Sequence, residues 1–193
     1  MIYLIDHNSD HAAFMTSVIK EHTATEVQLI ELPLSPTTKQ VYVTVASLYG
    51  KAKSSDIILC PWQITGHGQI DDLFEDLANQ CWVIAAAGNS NAPIESITPA
   101  RVHNVITVGC LNKSGVKATL SNYSTDSSKR LEWVTGTNYH IGDKTESGTS
   151  VSASLYAAFL SESLAAKDYS LLNKLIEKQK LKTSLEIANS LNT

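Results

Sequence analysis

The stretch Trp82-Val83-Ile84-Ala85-Ala86-Ala87-Gly88-Asn89-Ser90 decides the fold. An unbroken apolar run that stops at a glycine-asparagine turn is the pattern of a strand buried on both faces, as in a parallel sheet. The same grammar repeats on either side of it. Upstream, Asp56 to Trp62 reads as an apolar strand through Ile57, Ile58 and Leu59. After it the Gly66-His67-Gly68 loop opens an amphipathic helix with Ile70, Leu73, Phe74, Leu77 and Ala78 on one face. Downstream, Val105 to Cys110 is a strand set between Pro99 and the turn Asn112-Lys113-Ser114-Gly115.

The N-terminal part follows suit. Met1 to Ile5 is a short buried strand ending on Asp6, and a helical pattern from about His11 to Glu21 places Phe14, Met15, Val18 and Ile19 on one face. Ser9 or Asp10 stands in position to cap that helix. Glu26 to Leu32 alternates as a strand and stops at Pro33, and Thr38 to Tyr49 fits a helix, although its β-branched content also permits a strand. Strands alternating with helices predict an α/β fold of three layers, a mostly parallel central sheet with helices on both faces. At 193 residues the chain fits one domain, 1–193, with Tyr169 to Leu191 as surface helices rather than a second domain.

Composition narrows the function classes. A net charge of −4 spread along the chain, with no Lys/Arg cluster, argues against nucleic acid or an anionic membrane as the main partner. The start of the chain has neither the basic residues nor the apolar core of a secretory signal, and no apolar run approaches bilayer length. Cys60, Cys81 and Cys110 each lie in or beside an apolar segment, and an odd count without metal-ligand spacing predicts buried free thiols, no metal and a reducing, cytoplasmic setting.

In folds of this class, sites gather at the carboxyl ends of the strands. Asp6 and Asn89 close predicted strands there. His11 opens a helix, and so does Ser150, because the small-residue turn Gly148-Thr149-Ser150-Val151-Ser152-Ala153 runs straight into Leu155, Ala157, Ala158, Phe159, Leu160 and Leu164, a helix with one buried face. Taken alone, Ser150 or Thr149 is equally a helix cap. Taken together, Asp6, His11, Asn89 and Ser150 are the residue types of acyl transfer: a hydroxyl nucleophile, an imidazole base, a carboxylate that orients the imidazole, and an amide donor for the oxyanion.

The flanks of these residues resemble the subtilases, the subtilisin-like serine peptidases, whose triad runs Asp, His, Ser along the chain. Ile84-Ala85-Ala86-Ala87-Gly88-Asn89-Ser90 is similar to the family's V-A-A-A-G-N-S, and Thr98-Pro99-Ala100 followed by Asn104-Val105-Ile106-Thr107-Val108-Gly109 to its Y-P-A and N-V-I-x-V-G. Leu120-Ser121-Asn122-Tyr123-Ser124 resembles F-S-N-Y-G, and Gly148 to Ala153 resembles G-T-S-M-A-A. In the first half, Ile5-Asp6 matches the strand-ending I-D, and Asp56-Ile57-Ile58 the D-V-I that precedes the substrate-binding edge S-L-G, here Pro61-Trp62-Gln63. His11 to Ile19 keeps only the first histidine and the small-then-apolar ending of H-G-T-H-V-A-G-I-I.

The resemblance implies a subtilisin-like fold and a serine endopeptidase without a cofactor. Ser150 would be the nucleophile, His11 the base, Asp6 its orienter and Asn89 the oxyanion donor. A peptide or protein substrate would pair alongside Pro61, Trp62 and Gln63, with Ala86, Ala87 and Gly88 lining one side of the pocket. His7 competes with His11 for the base, but it stands one Cα step of about 3.8 Å from Asp6, too close in sequence to lie between that carboxylate and a distant serine. His67 reads as a loop residue near the cleft, and His22, His103 and His140 as surface or loop histidines.

The departures matter as well. The chain is shorter than the family's catalytic domain, chiefly between Asp6 and His11 and around Pro93 and Gly136, and Ser154 stands where G-T-S-M-A-x-P has its proline. With the Asp6 strand starting at Met1, no pro-segment is expected, so the chain would have to fold unaided, use a regulatory or chaperoning protein partner, or be restrained by a narrow cleft. No acidic cluster suggests the family's calcium sites. The glycines lost around His11 keep open a second reading, a catalytically impaired subtilase-fold protein that binds peptides. A third, a small-molecule binding domain built on the Gly88 turn, lacks any G-x-G-x-x-G or G-x-x-x-x-G-K.

Overall fold

The apolar runs pair into a six-stranded sheet in the computed structural model, which describes residues 1–7, 9–129 and 131–174. In chain order the principal strands are β1 (Ile2–His7), β2 (Val27–Leu32) and β3 (Ile57–Cys60), with helices α1 (Asp10–Lys20) and α2 (Thr38–Ala46) between them. A short strand β4 (Ile64–Thr65), helix α3 (Gly68–Ala78) and β5 (Trp82–Ala86) follow, then β6 (Ile97–Thr98) and β7 (Ile106–Leu111). The last elements are β8 (Leu131–Thr135), the hairpin β9 (Tyr139–Ile141) and β10 (Lys144–Glu146), and α4 (Thr149–Ala166). The sheet order is β2-β1-β3-β5-β7-β8, every pair parallel. The chain therefore reverses its direction of travel at β1, and the crevice between the ends of β1 and β3 is the topological switch point.

The strand period of two sorts side chains into two cores. Ile2 and Leu4 of β1, Ile57 and Leu59 of β3, and Ile84 and Ala86 of β5 face α1 and α4. Tyr3 and Ile5, Ile58 and Cys60, and Val83 and Ala85 face α2 and α3. Helices thus cover both faces, as the sequence predicts. Thr38 onward is a helix because Thr37 and Gln40 form a reciprocal cap and Val41 and Val45 are buried.

Three expectations change. The helix after Ser150 is buried almost all round, not on one face, because α4 lies against β3, β5, β7 and β8 on one side and α1 on the other. Strand β8 and the β9-β10 hairpin have no counterpart in the sequence reading, since Leu131–Thr135 sits at the sheet edge with a mixed polar pattern. His22 is not an ordinary surface residue. Its ring packs 5.2 Å from Phe159, and its Nε2 lies 2.6 Å from the Tyr139 hydroxyl, which donates to Glu21. With Lys144 paired to Asp10, the hairpin is tied to both ends of α1 and leads directly into the turn before Ser150. Of the C-terminal segment, 170–174 is helical, and the residues after 174, Ile176, Leu185 and Ile187 among them, lie outside the described residues. No helix among the described residues is long and apolar enough to cross a membrane.

One buried charge locks the loops that precede β7 and β8. Lys129 is 7% exposed, and its ammonium donates to the carbonyls of Val102 at 2.6 Å and Val105 at 2.5 Å, with that of His103 at 3.4 Å. Lys129→Met keeps the apolar stem but takes the ammonium donor away from these carbonyls, that of Val102 keeping the Val105 N–H at 3.2 Å, so urea unfolding should show a loss of about 1–3 kcal/mol. An unchanged midpoint would show that the cage contributes nothing.

Candidate active site

Asp6 is the last residue but one of β1 and its side chain is fully buried, a placement that demands compensation for the charge. The compensation is local. Oδ1 accepts the His7 backbone N–H at 2.8 Å, and Oδ2 lies 2.6 Å from Nδ1 of His11, in the first turn of α1. A carboxylate can only accept, so Nδ1 of His11 carries the proton and Nε2 is the open nitrogen. That hydrogen bond raises the imidazole above its ordinary 6.5, outweighing the opposing effect of burial, and the charges of Asp6 and Glu146 add to it. His7, the competing candidate, turns its own ring away to the Pro33 carbonyl, 2.9 Å from Nδ1.

Ser150 sits in the first turn of α4, and the route from α1 to it is short. Both helices start at the carboxyl edge of the sheet, so they run in the same direction. Met15 and Ser154, each one turn below His11 and Ser150, touch at 3.2 Å from Sδ to Oγ. One turn back toward the N-termini, the facing positions are His11 and Ser150. The Ser150 hydroxyl itself donates to the Pro61 carbonyl at 2.8 Å, and no hydrogen bond joins it to His11.

Asn89 follows β5 and is interlocked with the start of α4. Its Oδ1 accepts the Thr149 N–H at 3.0 Å and the Thr149 hydroxyl at 3.2 Å, while Thr149 Oγ1 accepts the Gly88 N–H at 3.0 Å. Because Oδ1 is so engaged, the Nδ2 amide hydrogens are the ones left over, on an exposed residue beside Ser150. Two glycines make this possible. Gly148 has φ +138°, and a Cβ there would stand 2.9 Å from Asn89 Oδ1; Gly88 has φ +99°.

A cavity of about 230 Å³ opens at this edge between Pro61, Trp62 and Gln63 on one side and Ala86, Gly88 and Asn89 on the other, with Ser150 at its rim. Ala87 departs from the expectation: it is fully buried against Ile94, Ala100 and Leu131 and takes no part in the cavity wall. His67 stands at the N-cap position of α3, without a side-chain capping bond, and belongs to a different groove, with Tyr42 and Asp72. Among the described residues no group of three or more His, Cys, Asp or Glu is placed to hold a metal ion.

Two positioning residues escape the sequence reading. Thr149 reads there only as an alternative cap, and Asn122 only as one letter of a motif. Asn122 is 1% exposed; its Oδ1 accepts the N–H groups of Ser90 and Ala92, and its Nδ2 donates to the Ala87 carbonyl. It therefore holds the whole turn that carries Asn89. The signal was a buried amide in a motif of otherwise ordinary polar residues.

The Asp6 pairing has a direct readout. In an NMR titration the His11 ring should show a midpoint above 6.5, and Asp6→Asn should lower it, because the replacement removes the charge that favours the imidazolium. A midpoint at or below 6.5 in the parent would break the pair.

The sequence model of the subtilase family matches residues 61–188, about two thirds of the chain. Curated proteins yield no match. Among solved structures the fold is similar to a cold-adapted subtilisin-like serine proteinase, with a TM-score of 0.73 and 20% identity over 86% of this chain and 76% of that one. It is similar also to the prenylagaramide maturation protease PagA, with a TM-score of 0.67 and 15% identity over 94% and 79%, and to a lanthipeptide protease, at 0.68 and 13% over 83% and 71%. At such identities the structural likeness speaks for the fold and the sequence match for the family: the chain belongs to the subtilase family of serine peptidases.

Proposed function

We propose that the protein is a serine endopeptidase that works through an acyl-enzyme on Ser150, with His11 as general base and acid and Asp6 as its orienter. The observation that carries this reading is the pairing of a fully buried carboxylate with His11, on a helix whose next turn touches the helix of Ser150. Attack by the serine oxygen on a peptide carbonyl sends its proton to His11 Nε2, and His11 returns that proton to the leaving amine. Negative charge develops on the carbonyl oxygen. Two donors are free for it, Nδ2 of Asn89 and the Ser150 N–H, an orphan donor at the positive end of α4.

The Pro61 carbonyl gives the reaction an order. It holds the Ser150 hydroxyl at 2.8 Å, so the side chain has to turn about χ1 before His11 can take its proton. An extended peptide pairing with the Pro61-Trp62-Gln63 edge brings backbone N–H donors to that same carbonyl and competes the hydroxyl away. The setting we propose is a reducing compartment, supported by three buried cysteines that remain free thiols.

The same hydrogen bond favours a second reading, a peptide-binding protein in which Ser150 stays parked on Pro61 and never reacts. A fluorophosphonate probe separates the two. Labelling should occur in the parent and in Ser152→Ala, whose hydroxyl is buried on the Val134 carbonyl, and vanish in Ser150→Ala. A parent that stays unlabelled is the binding protein instead. With a cleavable peptide, Asn89→Ala should lower kcat by about 10²–10³, the order expected for losing one oxyanion donor; unchanged turnover would remove Asn89 from the mechanism.

A further inference from the structure

The cavity beside Ser150 is crossed by a side chain. An ideal Cβ built on Gly88 would stand 2.0 Å from Gln63 Oε1 and 3.1 Å from Gln63 Cδ, so the carboxamide lies directly on the Gly88 backbone. Gln63 comes from the end of the β3 edge and Gly88 from the turn after β5, on opposite sides of the cavity. The bridge is a contact only: no group among the described residues hydrogen-bonds the Gln63 side chain, which is exposed. In the resembling edge S-L-G the matching position is a glycine. Here that space is filled.

The rest of the wall is stiff. Trp62 is 9% exposed and packs its ring 6.3 Å from Phe74, inside the core between the sheet and α3. Ala86 belongs to β5, and the Gly88 turn is held by Thr149 and Asn122. The exposed Gln63 side chain, which has no hydrogen bond among the described residues, can yield.

We infer that Gln63 sets the substrate class by bridging this cavity to the Gly88 turn, so that the residue before the cut bond is small: glycine, alanine or serine. The inference rests on the proposed pairing of a peptide with the Pro61-Trp62-Gln63 edge, which aims that residue's side chain between the edge and the Gly88 turn. A leucine or phenylalanine at this place has to expel the carboxamide into solvent, and overfilling a packed site is unfavourable. An alanine leaves the carboxamide where it is. Its free amide and carbonyl then remain in reach of a serine hydroxyl.

The test uses blocked hexapeptides Ala-Ala-Ala-Xaa-Ala-Ala with Xaa as Ala, Ser, Leu or Phe. Cleavage after Xaa is measured for the parent and Gln63→Gly, and binding for Ser150→Ala with and without Gln63→Gly. The parent should prefer Ala and Ser over Leu and Phe by roughly 10–200-fold in kcat/KM, and Gln63→Gly should collapse most of that Ala-to-Phe ratio, the ratio and not the absolute rate being the readout. Gln63→Glu keeps the length and adds a charge, so a peptide with Xaa as Asp should bind more weakly to Ser150→Ala/Gln63→Glu than to Ser150→Ala. A parent that handles Phe as well as Ala, or a preference that Gln63→Gly leaves intact, overturns the inference. If binding shows the preference and its reversal while the parent cleaves nothing, the pocket assignment stands and the peptidase reading falls.

Discussion

The interlock between Asn89 and Thr149 is the interaction on which the site depends. These residues are far apart in sequence, one after a central strand and one opening α4, and three hydrogen bonds of 3.0–3.2 Å fasten their segments together. Each bond serves a backbone or amide group that the fold would otherwise leave open. The helix gains a cap, the Gly88 N–H gains an acceptor, and the Asn89 amide gains one fixed orientation. The same bonds that satisfy the backbone thus aim an amide donor to the side of the Ser150 hydroxyl.

A second constraint is electrostatic. Asp6 is fully buried at the sheet edge, and an uncompensated carboxylate there would cost several kcal/mol. The His7 N–H and the His11 ring remove that cost, and in doing so they fix the imidazole tautomer. Stability and chemistry therefore make the same demand on His11. The tie reaches further through α1, whose ends are held by Tyr139 and Lys144 of the hairpin that runs into the Gly148 turn.

Serines in α4 explain how a helix so deeply buried tolerates polar residues. Ser152 donates to the Val134 carbonyl of the edge strand, and Ser154 to the carbonyl of Ser150 one turn before it. Small side chains let α1 approach closely, and these two hydroxyls find their acceptors in the neighbouring strand and in the helix itself. Serine at position 154, in place of the proline of the resembling motif, also keeps a backbone N–H in the second turn of α4.

By itself the sequence determined the layered parallel fold, because uninterrupted apolar strands such as Trp82 to Ala86 have only one stable surrounding: helices on both faces. It determined as well that Asp6, His11, Asn89 and Ser150 stand at strand ends and helix starts, since those positions follow from local periodicity and turn residues. It missed β8 and the hairpin, where edge position blurs the alternation, and it put Ala87 in a cavity wall when a one-residue step along the strand sends that side chain into the core. Only the tertiary structure decided that the Ser150 hydroxyl rests on Pro61, that Asn122 and Thr149 hold the turn, and that Gln63 crosses to Gly88. Such contacts join segments distant along the chain, and no local pattern encodes them: they exist because packing brings two backbones within reach and leaves one donor and one acceptor, or one gap and one side chain, to meet.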